Sequence, residues 1–133
     1  MIRHALVLSL SCLLAAGSTH AGETDVEPQR SISGGHWHAQ QAEGTYRIVT
    51  ETVGYEHLSC RVWIEWLPAA GATPVARVPV AEISDGFWSC GSAADDLSLS
   101  DDMLSIKASH AYSHEPRVFT LSLGAPGNYQ LQP

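Results

Sequence analysis

The sequence predicts an all-β protein: a small antiparallel β-sandwich of seven or eight strands with one disulfide, a small β-barrel being the alternative. Three observations carry this. Leu58–Leu67 alternates strictly, with Leu58, Cys60, Val62, Ile64 and Trp66 on one face and Ser59, Arg61, Trp63 and Glu65 on the other, which is the period of a strand. Turn residues recur about every eight to twelve positions, and no segment carries a convincing helical period. Cys60 and Cys90 both sit among apolar residues and are each other's only plausible partner.

The pairing rests on compartment. Arg3 and His4 precede a nearly continuous apolar run from Ala5 to Ala16, and Thr19-His20-Ala21 offers small residues for cleavage. Residues 1–21 therefore read as a secretory signal peptide, too short in its apolar part to span a membrane. Cys12 leaves with it, and two distant cysteines in an oxidising compartment imply one disulfide. The expected location is periplasmic or secreted, with no membrane insertion.

Removal of that segment leaves 112 of the 133 residues, enough for one domain with a modest core. Only Arg3 among the seven basic residues is lost, so the formal charge moves from −7 to −8. Nucleic acid and anionic lipid are poor partners for such a surface; a basic protein, a cation or a neutral ligand is permitted.

Residues 22–42 are expected to form a flexible arm and connector. Gly22–Gly35 has three acids, a proline and a Ser-Gly-Gly end, with only Val26 and Ile32 as sizeable apolar groups, too little to offset the entropy of ordering. The β domain spans 43–133. Thr45–Val53 is its first strand; Gly54 breaks it and Tyr55–Leu67 returns, the two forming an antiparallel hairpin. Val75–Ile83 places Val78 and Val80 on one face, but Pro79 between them lacks a ladder donor, so the strand belongs at a sheet edge or carries a bulge. Asp85-Gly86 turns the chain into Phe87–Cys90. Leu97–Ser100 and Met103–Ala108 flank Asp101-Asp102 as a hairpin with Leu104 and Ile106 inward; Arg117–Leu123 points Phe119, Leu121 and Leu123 inward; Tyr129 and Leu131 follow the Ala125-Pro-Gly127 turn. Asp85-Gly-Phe-Trp-Ser-Cys90 superficially resembles the Asp-x-Gly-x-Tyr-x-Cys of immunoglobulin domains. The cysteines are thirty positions apart, about half the separation that family needs, and Trp63 lies too near Cys60. The resemblance is therefore set aside.

Candidate site residues fall into three groups. His36 and His38 project together from an extended segment, and His110 and His114 are one helical turn apart; four imidazoles suit copper or zinc if the pairs converge. Asp95 and Asp96, near Asp101 and Asp102, form an acidic face that suits a basic partner and lacks the spacing of a calcium loop. Trp63, flanked by Arg61 and Glu65, is a candidate contact residue, and with Trp37 a candidate stacking surface for glycan. No nucleophile elbow, reactive-cysteine setting or Gly-rich phosphate loop is present, so catalysis is not expected. These readings converge on an exported binding protein of the bacterial envelope, such as an inhibitor or immunity protein for a basic toxin or cell-wall hydrolase. The alternative is a periplasmic copper- or zinc-binding protein.

Overall fold

Strict alternation places every second side chain of the central strand in the interior: Cys60, Val62, Ile64 and Trp66 are all buried. A computed structural model describes residues 26–54 and 57–133; the targeting segment expected over 1–21 lies outside the described residues. The strands are β1 (Val26–Ala39), β2 (Ala42–Val53), β3 (Ser59–Pro68), β4 (Ala76–Pro79), β5 (Trp88–Cys90), β6 (Leu97–Ser100), β7 (Met103–His110), β8 (Pro116–Leu123) and β9 (Tyr129–Leu131). Ala94–Asp96 forms a single 3₁₀ turn between β5 and β6. No helix among the described residues is long and apolar enough to cross a membrane.

One sheet runs β1-β2-β3-β4; the other runs β5-β7-β8-β9, with β6 also paired to β7. All pairings are antiparallel. The two sheets face each other as an open sandwich and do not close into a barrel. Between them β3 and the buried Tyr46 and Ile48 of β2 meet Leu104 and Ile106 of β7 and Phe119, Leu121 and Leu123 of β8. The Cys60–Cys90 disulfide joins β3 to β5, with the Cα atoms 5.6 Å apart.

Three details differ from expectation. The segment read as a mobile arm contains the 14-residue strand β1, paired to β2 through the Gln40-Gln41 turn with Gln40 at φ 55°. Long-range bonds compensate its sparse apolar content. The buried Trp37 donates Nε1–H to the carbonyls of Thr45 and Leu67, both at 3.0 Å. The Arg30 guanidinium donates to the carbonyls of Ala93 and Ala94 at 2.6 Å each, tying β1 to the 3₁₀ turn that leads into β6. Its glycines mark a bulge, not a linker: the register shifts between Gly34 and Trp37, and Gly35, at φ 64°, backs onto the Asp101 carbonyl. Second, β3 starts at Ser59, and Leu58 is 56% exposed instead of inward. Third, β4 stops at Pro79, and the following turn buries Val80 and Ile83 completely. Pro79 thus ends an edge strand, as its missing donor requires.

Tyr46 lies edge-on to Trp66, ring centroids 6.1 Å apart, and donates its hydroxyl to the Gly124 carbonyl at 3.2 Å. Burial, and secondarily the Asp102 charge, pushes this phenol above its ordinary value of 10.0. A raised folded-state value means the contribution is complete below pH 10.0 and is lost as pH rises through the folded value. Tyr129, also raised first by burial and then by its bond to Glu82, acts in the same direction. Urea midpoints are expected to fall on alkaline titration above about pH 10, and Tyr46→Phe should flatten that decline.

Candidate functional site

Register explains why the polar face of β3 is not an open surface. Arg47, Glu65 and Arg77 stand side by side on β2, β3 and β4. Arg47 Nε donates to Glu65 Oε1 at 2.6 Å, and Arg77 Nε lies 3.3 Å from Oε2. Glu65 is 6% exposed, its carboxylate committed to two guanidiniums; its hydrogen bond holds the Arg47 guanidinium above its ordinary value. One row along, the half-buried Trp63 donates Nε1–H to Glu51 Oε2 at 3.0 Å, and Arg77 covers its ring 3.7 Å from the centroid. Such a cation over an indole face occupies the surface a sugar would stack on. Arg61 is paired in register with Glu51. Trp37, the other stacking candidate, is 3% exposed.

The acidic pair is divided between two local tasks. Asp96 Oδ2 accepts the Ala93 N–H at 2.8 Å and so fastens the 3₁₀ turn. Asp95 is exposed and accepts from Lys107 Nζ at 3.2 Å; that lysine holds its carboxyl below the ordinary range.

The two histidine pairs do not meet. His36 and His38 border a shallow concavity with Asp102, whereas His110 is the last residue of β7, which begins at Met103 next to Asp102. Eight residues of strand separate the ends by about 23 Å. His110 Nδ1 is engaged within its own loop, accepting from the N–H groups of Tyr112 at 3.3 Å and Ser113 at 3.2 Å. The four-imidazole site is therefore not assembled, and no group of three or more metal-ligating side chains is in place among the described residues.

What the fold does assemble was not read from the sequence. At the end of the sandwich opposite Asp102, the turn before β5 and the β7–β8 loop converge with His57 on a continuous aromatic path. Phe119, in the core, meets Trp88 edge-to-face at 5.0 Å, and Trp88 meets His110 edge-to-face at 5.3 Å. The Phe87 ring stacks on His110 at 6.2 Å and 10°; Tyr112 lies 6.2 Å from Phe87 and 5.8 Å from His57. The outer members face solvent: Phe87 is 49% exposed and Tyr112 61%. The loop beneath them is firmly bonded. Ala111 N–H donates to the Phe87 carbonyl at 2.7 Å, His110 N–H to the Glu115 carbonyl at 2.8 Å, and His114 N–H to the His110 carbonyl at 2.9 Å. A signal did exist: Phe87 directly follows the Asp85-Gly86 turn, and Tyr112 sits mid-loop between two histidines. Large aromatics at turn tips gain nothing from burial there.

Fold and surface together define a disulfide-linked β-sandwich with exposed aromatic rings at one end. A scan against protein-family models and searches of curated proteins and of solved structures return no match to the chain.

Proposed function

We propose that this is an exported binding protein of the bacterial envelope that engages a protein partner through the Phe87–Tyr112 end of the sandwich. The inhibitor or immunity role toward a basic toxin or cell-wall hydrolase is its most concrete form. One observation carries the reading: two aromatic rings, each about half exposed or more, are held out on hydrogen-bonded loops of a small domain. Exposed aromatics in a patch mark interaction surfaces, and tyrosine and tryptophan dominate interface hot spots. A hydrogen-bonded platform also lowers the ordering cost of association. The formal charge of −7, with Asp85 and Glu115 in the same loops, favours a basic partner and a salt-sensitive encounter rate.

A photoactivatable phenylalanine analogue at position 112 tests this in cells. A discrete crosslinked protein is expected from position 112 and not from the exposed Ser98, on β6, which pairs with the half of β7 remote from the β7–β8 loop. Equal labelling from both positions, or none from either, contradicts the reading. With the partner in hand, Tyr112→Ala and Phe87→Ala are each expected to weaken binding by about 2 kcal/mol or more, mostly through dissociation rate.

A further inference from the structure

We propose that the tip of the β1–β2 hairpin binds one divalent copper or zinc ion through His36, His38 and Glu43, independently of the aromatic end. The strand period sends His36 and His38 to the same side, and their rings stack with centroids 6.2 Å apart at 29°. Glu43 is the register partner of His38 on β2, so its side chain leaves on that side as well. Its Oε2 already lies 3.4 Å from His36 Nε2. Two imidazoles and one carboxylate thus share a single face of a two-residue hairpin.

The backbone there is fixed by what lies between the histidines. Trp37 is driven inward and bonded through its indole to Thr45 and Leu67. Its fit needs Gly44 beneath it, where any β-carbon would collide with the Leu67 carbonyl. The ligands themselves are free to move, since the side chains of His36 and Glu43 are 60% and 64% exposed. Closing from the present spacing to metal–nitrogen bonds of about 2.0–2.1 Å takes only side-chain rotation in solvent. Nitrogen ligands with one carboxylate suit copper and zinc, and water would complete the shell. Asp102, on the same concavity, offers a further anionic neighbour.

Titration of the folded protein with Cu(II) and with Zn(II) should give saturable one-to-one binding. His36→Ala and His38→Ala are each expected to weaken it at least tenfold, and Glu43→Gln several-fold. A His110→Ala/His114→Ala double variant should bind as the parent does. Bound Cu(II) should show two imidazole nitrogens in its electron paramagnetic resonance hyperfine structure. Absence of saturable binding, or binding that survives loss of both His36 and His38, overturns the proposal. Circular dichroism of the variants should match the parent, because these side chains point into solvent.

Discussion

Trp66→Ala is expected to destabilise the protein by about 3–5 kcal/mol, the range for truncating a large buried aromatic. Trp66 is fully buried, faces Tyr46 edge-on, and donates its indole N–H to the Gly124 carbonyl at 2.9 Å. Alanine leaves a cavity that Tyr46 cannot fill, because its hydroxyl is bonded to that same carbonyl. The shared acceptor makes the loss chiefly one of packing, since Gly124 keeps a donor when the indole goes. Trp66→Phe should therefore cost much less, about 1–2 kcal/mol. Urea denaturation followed by tryptophan fluorescence of the remaining indoles measures both. Similar costs for the two variants would show that the hydrogen bond, and not the filled volume, matters here.

Opening the disulfide should have a comparable effect. Cys60 and Cys90 are separated by 30 positions, and a loop of that length closed in the unfolded chain contributes roughly 3–4 kcal/mol. Against a total stability of about 5–15 kcal/mol for a typical domain, that is a large share. The bond joins β3 to β5, a strand of only three residues that pairs with β7 through Trp88, Ser89 and Cys90. Cys60→Ala/Cys90→Ala should lower the urea midpoint and raise the urea dependence, as the unfolded chain exposes more surface. The same strand carries Trp88 of the aromatic path, so the double variant is also expected to loosen Phe87 and Tyr112. Hydrogen exchange at Ala111, whose N–H donates to the Phe87 carbonyl, should quicken.

Much of this architecture was legible because its signals are local. The inward set of β3, the β6–β7 hairpin turning at Asp101-Asp102, and the inward Phe119, Leu121 and Leu123 all follow from a period of two. Strand β1 was not legible, because what orders it lies elsewhere in the chain. Arg30 bonds to carbonyls 63 and 64 positions away, and Trp37 to one 30 positions away; no window of composition reports such partners. Trp63 illustrates the same limit at the candidate site. Its place on the polar face followed from alternation, but only the register of β4 puts Arg77 over its ring. The aromatic end demanded most of the fold, since Phe87, Trp88, Tyr112 and Phe119 become neighbours only when β5, β7 and β8 pair.

The central claim is that Phe87 and Tyr112 are held at the surface for a partner and not for the fold. A Phe87→Ser/Tyr112→Ser double variant tests it most directly, with stability and association with the crosslinked partner measured on the same protein. The unfolding free energy from urea titration should stay within about 0.5 kcal/mol of the parent, as for ordinary surface positions, while association falls at least tenfold. A variant that unfolds readily, or one that binds as well as the parent, would contradict the account.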